Sequence, residues 1–285
     1  MRLNGFTIIR LLLFVCSLQY TLSLRYISMV SGGCQGSSIT QHYLRVFLEE
    51  LGHVLCKAPS EPFHVIFPDS THDVMNLQQF QYYESQCLSS NATAFIYKLS
   101  HMKNDTVNTY LAERNAMRFR LIRRNALDHK ICSIRDCFDR SPKHGFPCDS
   151  KGNPNHVCMK RRRDPNATSL ACVNPEGFIS VVANMHNEQK RVIATDPTTV
   201  LSENLLAFQY NFDGALDISM QEWHRLLSSI GEKVTLRRVQ QLLWELDWTP
   251  RSYTPQRKEI YNYDAFEKAL MGHGKEELIA MLRRY

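Results

Sequence analysis

The chain has 285 residues, a formal net charge of +6 and an apolar fraction of 44%. That length buries one large core, so a single catalytic-sized domain with an excursion is expected. The modest positive balance suits an anionic small molecule or polysaccharide; the absence of long basic runs interleaved with aromatics speaks against a nucleic-acid groove.

Residues 1–24 read as a signal peptide. Arg2 and Arg10 precede the apolar run Leu11 to Leu18, and Thr21 and Ser23 place small residues around a cleavage point after Ser23. The alternative is an uncleaved anchor over residues 6–24, which is short for a bilayer and interrupted by Arg10 and Gln19. A domain over 25–285 follows.

That domain opens with an apolar strand over 26–30, a loop over 31–37 and a helix over 38–52 whose apolar side carries Ile39, Tyr43, Val46, Phe47 and Leu51. The loop holds Gly32, Gly33 and Gly36. Glycines let a backbone approach an anion closely, and Ser37, Ser38 and the unpaired N–H groups of the following helix donate to it. It is not a Walker A loop, because Gly36 is followed by Ser37 and Ser38 with no lysine.

Next come a short apolar piece over His64–Phe67, a polar stretch, and a buried strand over Thr93–Lys98. A helix over 107–117 leads to a strand over 118–123, carrying Phe119, Leu121 and Ile122, and then to a helix over 125–138. Asn125 is placed to cap that helix, and Leu127, Ile131, Ile134 and Phe138 fall at helical spacing. Arg123 and Arg124 therefore stand at the carboxyl end of a strand, beside a helix N-terminus. In an open α/β sheet that edge receives ligands, and paired guanidiniums there suit a phosphate.

Residues 139–172 form an irregular, cysteine-containing excursion with a basic run at Lys160–Arg163. A helix near 175–187, a strand near 191–201 and four further helices complete the chain, two of them marked by the apolar spacing around Trp223 and Leu242. Alternating strands and helices predict an α/β fold, with a parallel β-sheet flanked by helices and a helical C-terminal part.

Nine cysteines are present; outside the leader they are Cys34, Cys56, Cys87, Cys132, Cys137, Cys148, Cys158 and Cys172. An even set behind a secretory leader predicts disulfides, although eight cysteines allow 105 connectivities. A bridge within Cys148, Cys158 and Cys172 is favoured, since that region is rich in Gly, Pro, Asn and Lys. No Cys-x-x-Cys pair is present, and no metal is expected. Asn91, Asn104 and Asn166 begin N-glycosylation sequons, in keeping with a Golgi-lumenal or secreted chain.

Together, the glycine loop and the arginine turn resemble the sulfotransferase family, in particular its carbohydrate and algal or bacterial-type branches. In that family an Arg/Lys-Ser-Gly-Ser/Thr-Ser/Thr loop holds the 5′-phosphosulfate of 3′-phosphoadenosine 5′-phosphosulfate; its counterpart is Cys34-Gln35-Gly36-Ser37-Ser38. The family's 3′-phosphate motif, Arg-Asn-x-x-Asp-x-x-x-Ser, is similar to Arg124-Asn125-Ala126-Leu127-Asp128 and onward to Cys132. Ser202-Glu203-Asn204-Leu205 looks like its Tyr-Glu-Asp-Leu segment, and Ile260 to Asp264 resembles an Ile-x-Asn-Tyr-Asp stretch. Two departures stand out: Cys34 replaces the loop's basic residue, so that either Lys98, Arg45 or another arginine supplies the charge or the chain binds nucleotide without efficient transfer, and Cys132 replaces the motif's serine, with Ser133 one place out of register.

The resemblance implies a P-loop NTPase-like sulfotransferase fold over most of 25–285. It implies a nucleotide site at Gly33, Cys34, Gln35, Gly36, Ser37, Ser38, Ile39, Arg123, Arg124, Cys132 and Ser133, with Arg257 closing over the nucleotide. Sulfuryl transfer needs a base for the acceptor's proton and a cation for the leaving phosphate. Lys98-Leu-Ser-His101 is similar to the Lys-Thr-His of the cytosolic members, so His101 is the expected base, Lys98 the expected cation, and Glu61 the rival base. The acceptor is a carbohydrate or other hydroxyl. A membrane is involved only if the leader stays as an anchor. A secreted, disulfide-bonded protein that binds glycan or nucleotide without transfer is the alternative.

Overall fold

The computed structural model describes residues 24–32, 34–57, 73–99, 105–136, 139, 141–154, 169–210, 212–246 and 256–283. In chain order these form β1 (Arg25–Val30), α1 (Ser37–Glu50), α2 (Asp73–Ser89), β2 (Ala94–Leu99), α3 (Asp105–Glu113), β3 (Met117–Ile122) and α4 (Ala126–Arg135). There follow β4 (Gly145–Cys148), β5 (Leu170–Val173), α5 (Pro175–Thr195), β6 (Thr199–Leu201), α6 (Ser202–Leu205), α7 (Ala215–Ser229), α8 (Leu236–Glu245), α9 (Tyr263–Gly272) and α10 (Glu276–Arg283). Four strands make a parallel sheet in the order β2-β1-β3-β6, flanked by helices as the alternation predicts. Parallel neighbours need long crossovers, and helices supply them here. Among the described residues no helix is long and apolar enough to cross a membrane.

The chain divides into two compact units, one of Met1–Val30 with Gln41–Arg118 and the other of Ser31–Thr40 with Phe119–Tyr285. In the first, β1 and β2 run in register from Arg25 opposite Ala94 to Val30 opposite Leu99, and every residue of β2 is buried. Phe80 of α2 stacks on Phe95 at 5.2 Å and meets Tyr97 edge-on at 5.1 Å, while a Cys56–Cys87 disulfide secures the same core. Helix α2 falls in what the sequence presents as a polar stretch. Its inward positions are sparse, Leu77, Phe80, Tyr83 and Cys87, and the next one is filled by a carboxylate, Glu84.

Buried Glu84 accepts hydrogen bonds from the hydroxyls of Tyr26 and Tyr110 and from Arg114 Nε at 2.7 Å. Burial, and then the hydrogen bond to this carboxylate, push the Tyr110 phenol up to about 12 and the Tyr26 phenol higher still. A folded-state pKa above that of the unfolded chain stabilises the fold below the unfolded value, about 10, and the contribution disappears as pH rises through the folded value. Thermal unfolding is therefore expected to be level from pH 8 to 9.5 and to fall steeply by pH 11. Tyr110→Phe should flatten part of that fall in a pH series of melting temperatures; an unchanged slope would refute the assignment.

In the second unit β3 pairs with β6, Ile122 lying opposite Leu201. The expected strand near 191–201 is mostly helix: α5 continues to Thr195, keeping Val192 buried, and only Thr199–Leu201 pairs. Pro197 sets that boundary, since the residue before a proline is driven out of the helical region, and Asp196 accordingly sits at φ −111° and ψ 101°. Leu127, Ile131 and Ile134 of α4 pack with Phe178, Ile179 and Val182 of α5 and with Phe266 and Leu270 of α9. The excursion over 139–172 contains an antiparallel β4–β5 hairpin closed by a Cys148–Cys172 disulfide, one of the pairings favoured from sequence. Helices α7 to α10 are the four expected at the C-terminal end, and Trp223, Leu226, Val239 and Leu242 are buried as their spacing predicts. Phe138 and Cys158 lie outside the described residues, as do the leader, the His64–Phe67 piece, the Lys160–Arg163 run and the Asn104 and Asn166 sequons.

Candidate functional site

Between β1 and α1 the backbone turns through two left-handed residues, Cys34 at φ 62° and Gly36 at φ 72°. Glycine adopts that conformation without a steric cost, whereas cysteine adopts it only under an outside constraint. Here the constraint is covalent: Cys34 is bonded to Cys132 of α4, with Cα atoms 5.8 Å apart. The two positions that read as separate departures from a known motif are therefore each other's partner. Asp136 places a carboxylate oxygen 3.9 Å and 3.6 Å from the two sulfurs. Among the described residues these three form the one cluster with metal-ligand groups, but the bonded sulfurs are not thiolates and offer a metal little.

The loop is ordered by its own side chains. Gln35 is buried and accepts from the Gly32 N–H at 2.8 Å, and the Gly36 carbonyl accepts from Thr40 N at 3.0 Å to begin the helix. Ser37 is buried at the first helical position, with Ser38 exposed and Ile39 half-buried after it, so the first N–H groups of α1 stand at the loop. A Cβ added at Gly36 would lie 3.6 Å from Ser202 Cβ and 3.4 Å from Leu206 Cδ1, which places the loop against α6.

The arginine turn is more occupied than its sequence suggests. Asn125 caps α4, accepting from Asp128 N at 3.1 Å. Arg123 is ion-paired with Asp128 at 3.3 Å and lies 4.0 Å from Glu203. Glu203 of α6 takes both leading amides, accepting from Arg124 N at 3.0 Å and from Asn125 N at 3.1 Å. Gln256 donates to the other oxygen of Asp128 at 2.7 Å. The expected seat of two guanidiniums and open helix amides is thus narrowed. What faces outward is the exposed Arg124, whose guanidinium has no partner among the described residues. Beside it, Asn125 Nδ2 is buried with no hydrogen-bond partner, and Ser31 Oγ and Thr40 Oγ1 on either side of the glycine loop are in the same state. Buried polar atoms are normally satisfied, so these three have hydrogen-bonding capacity to spare, as do buried polar atoms elsewhere in the chain.

Other expected residues take different places. Ser133 is buried and donates to the His129 carbonyl at 3.0 Å, which is a bond within its own helix. Arg257 is ion-paired at the surface with Asp264 at 3.1 Å. Lys98 is buried near the end of β2 in the first unit and already has an interaction partner, and Arg45 donates to the Cys56 carbonyl at 3.2 Å, so neither is an uncommitted cation. Gly33, Glu61 and His101 lie outside the described residues. Sequence reasoning missed Glu203 and Gln256 as parts of this site. The Ser202–Leu205 segment carried a signal for the first, while a lone glutamine gives none for the second.

No protein-family model, curated protein or solved structure matches this chain.

Proposed function

We propose that this chain is a sulfotransferase of the secretory route, moving a sulfuryl group from 3′-phosphoadenosine 5′-phosphosulfate to an acceptor hydroxyl, most simply that of a carbohydrate. The observation that carries the reading is the bond between Cys34 and Cys132. It ties the glycine loop to α4, the helix that the Arg124–Asp128 turn opens, which is in keeping with one nucleotide bearing phosphates on both its 3′ and 5′ positions. The α1 N-terminus and Ser37 and Ser38 would receive the 5′ end, and Arg124 with Asn125 the 3′-phosphate. In the step itself the bond from sulfur to the bridging phosphate oxygen breaks and a bond from sulfur to the acceptor oxygen forms. The acceptor proton passes to a base, for which His101 and Glu61 are the candidates, and adenosine 3′,5′-bisphosphate leaves. Three disulfides among the described residues fit the oxidising compartment this requires.

A second reading, nucleotide or glycan binding without transfer, is favoured by one observation: Cys34 stands where the family's loop carries a cation, and Lys98 and Arg45 are both committed elsewhere. Turnover separates the two. Oxidatively folded, glycosylated protein is expected to move radiolabelled sulfate from the donor to a glycan panel. Arg124→Ala is expected to weaken donor binding by roughly ten- to a hundredfold, the range for losing one charged hydrogen bond. Binding that persists without transfer would select the second reading, and absence of nucleotide binding would end the first and leave glycan binding without transfer as the better one.

A further inference from the structure

Helix α6 is only four residues long, yet it touches both halves of the proposed nucleotide site. Ser202 and the adjoining Leu206 back Gly36 of the glycine loop, and Glu203 holds the two backbone amides of the arginine turn. We infer that Glu203 is a positioning residue, which sets the Arg124 backbone so that its guanidinium reads the 3′-phosphate. This rests on the nucleotide reading above.

The geometry supports this in three ways. First, a carboxylate with one oxygen on each of two successive N–H groups fixes the orientation of that peptide unit, which a single acceptor cannot do. Second, the anchorage is built in: Glu203 lies two residues beyond Leu201, the end of β6, which lies opposite Ile122, the last residue before Arg123. Third, the same turn is braced on its far side, where Asp128 holds Arg123 and is itself held by Gln256. Arg124, between the two braces, is left projecting. Of the amides where the chain enters α4, Glu203 takes those of Arg124 and Asn125, and Asn125 takes that of Asp128. Arg124 thus presents its side chain from a rigid mount, which favours a doubly charged terminal phosphate over a neutral ribose edge.

The test compares adenosine 3′,5′-bisphosphate with adenosine 5′-monophosphate by calorimetric titration of the intact, oxidised chain. The wild type is expected to prefer the bisphosphate. Glu203→Gln, which keeps the shape but replaces one acceptor oxygen by a donor facing an N–H, is expected to cut that preference about tenfold while leaving monophosphate affinity within twofold. Glu203→Asp, which retains both oxygens, should restore part of it. On an Arg124→Ala background Glu203→Gln should have no further effect on bisphosphate affinity, because its influence runs through Arg124. Amide exchange over 123–126 offers a readout that needs no ligand, with protection reduced in Glu203→Gln and kept in Glu203→Asp. Equal weakening of both nucleotides would reduce Glu203 to a structural role and overturn the inference. Tighter bisphosphate binding in Glu203→Gln would also overturn it, by making Glu203 a competitor for the amides. If the wild type discriminates and the variant discriminates equally, the inference alone fails; if the wild type binds neither nucleotide, the functional reading fails and takes the inference with it.

Discussion

Replacing Cys34 and Cys132 together by alanine is expected to lower the stability of the second unit by about 4–5 kcal/mol, the chain-entropy value for closing a loop of about a hundred residues. The bridge spans 98 residues. It is the longest closure among the described disulfides, so it removes the most freedom from the unfolded chain. The loop responds as well. Cys34 is held at φ 62°, a conformation that costs a non-glycine residue about 1–2 kcal/mol. Once the bond is gone that cost favours a return to an extended form, against the Gln35–Gly32 and Gly36–Thr40 hydrogen bonds, and its release offsets part of the lost stability. The loop should then lose its left-handed turn, and any anion affinity should fall with it. Cys34→Gly combined with Cys132→Ala isolates the two effects: glycine keeps the turn accessible, so this variant should be about 1 kcal/mol less impaired than the double alanine form. Urea unfolding of the oxidised proteins measures both quantities. A double alanine variant within 1 kcal/mol of wild type would mean that the bridge stores little, and equal values for the alanine and glycine forms would remove the strain argument.

The second large effect is expected at Glu84. Its carboxylate lies in the core of the first unit, bound by two tyrosine hydroxyls and the Arg114 guanidinium, which also stacks 3.4 Å above the Tyr110 ring. Glu84→Ala leaves a partly buried cation and two hydroxyls without their acceptor. Breaking a buried pair from one side in this way costs about 3–5 kcal/mol, well above the worth of a surface ion pair. Glu84→Gln preserves the shape and some of the hydrogen bonding, and about 1–3 kcal/mol is expected from the loss of charge alone. Removing Arg114 as well should recover part of the Glu84→Ala deficit, because the stranded charge leaves with it. A double variant no more stable than Glu84→Ala would show that the tyrosines, rather than the arginine, account for the cost.

Several elements were legible because one local signal sufficed. Asn125 followed by a properly spaced apolar face identified α4 and its cap, and the buried runs at β1 and β2 needed only their apolar continuity. Helix α2 was illegible because a polar residue, Glu84, occupies a core position, and that makes sense only when Tyr26, Tyr110 and Arg114 arrive from elsewhere in the chain. The strand expected before Pro197 failed for a related reason. Residues 191–195 are β-tolerant in isolation, but Val192 is buried as the last inward position of a helix that begins sixteen residues earlier than Arg191, at Pro175.

At the site, sequence alone determined which segments matter: the glycine loop and the arginine turn are local patterns, written in consecutive residues, and the structure places both at the ends of parallel strands. Only the tertiary structure decided how they are used. It bonded Cys34 to Cys132 and assigned Arg123 to Asp128. It also gave the Arg124 and Asn125 amides to Glu203 and left the Arg124 side chain exposed. The physical reason is that a motif reports the backbone a short stretch can adopt, whereas the availability of a charge or an amide depends on partners 79 or 98 residues away, which no local spacing encodes.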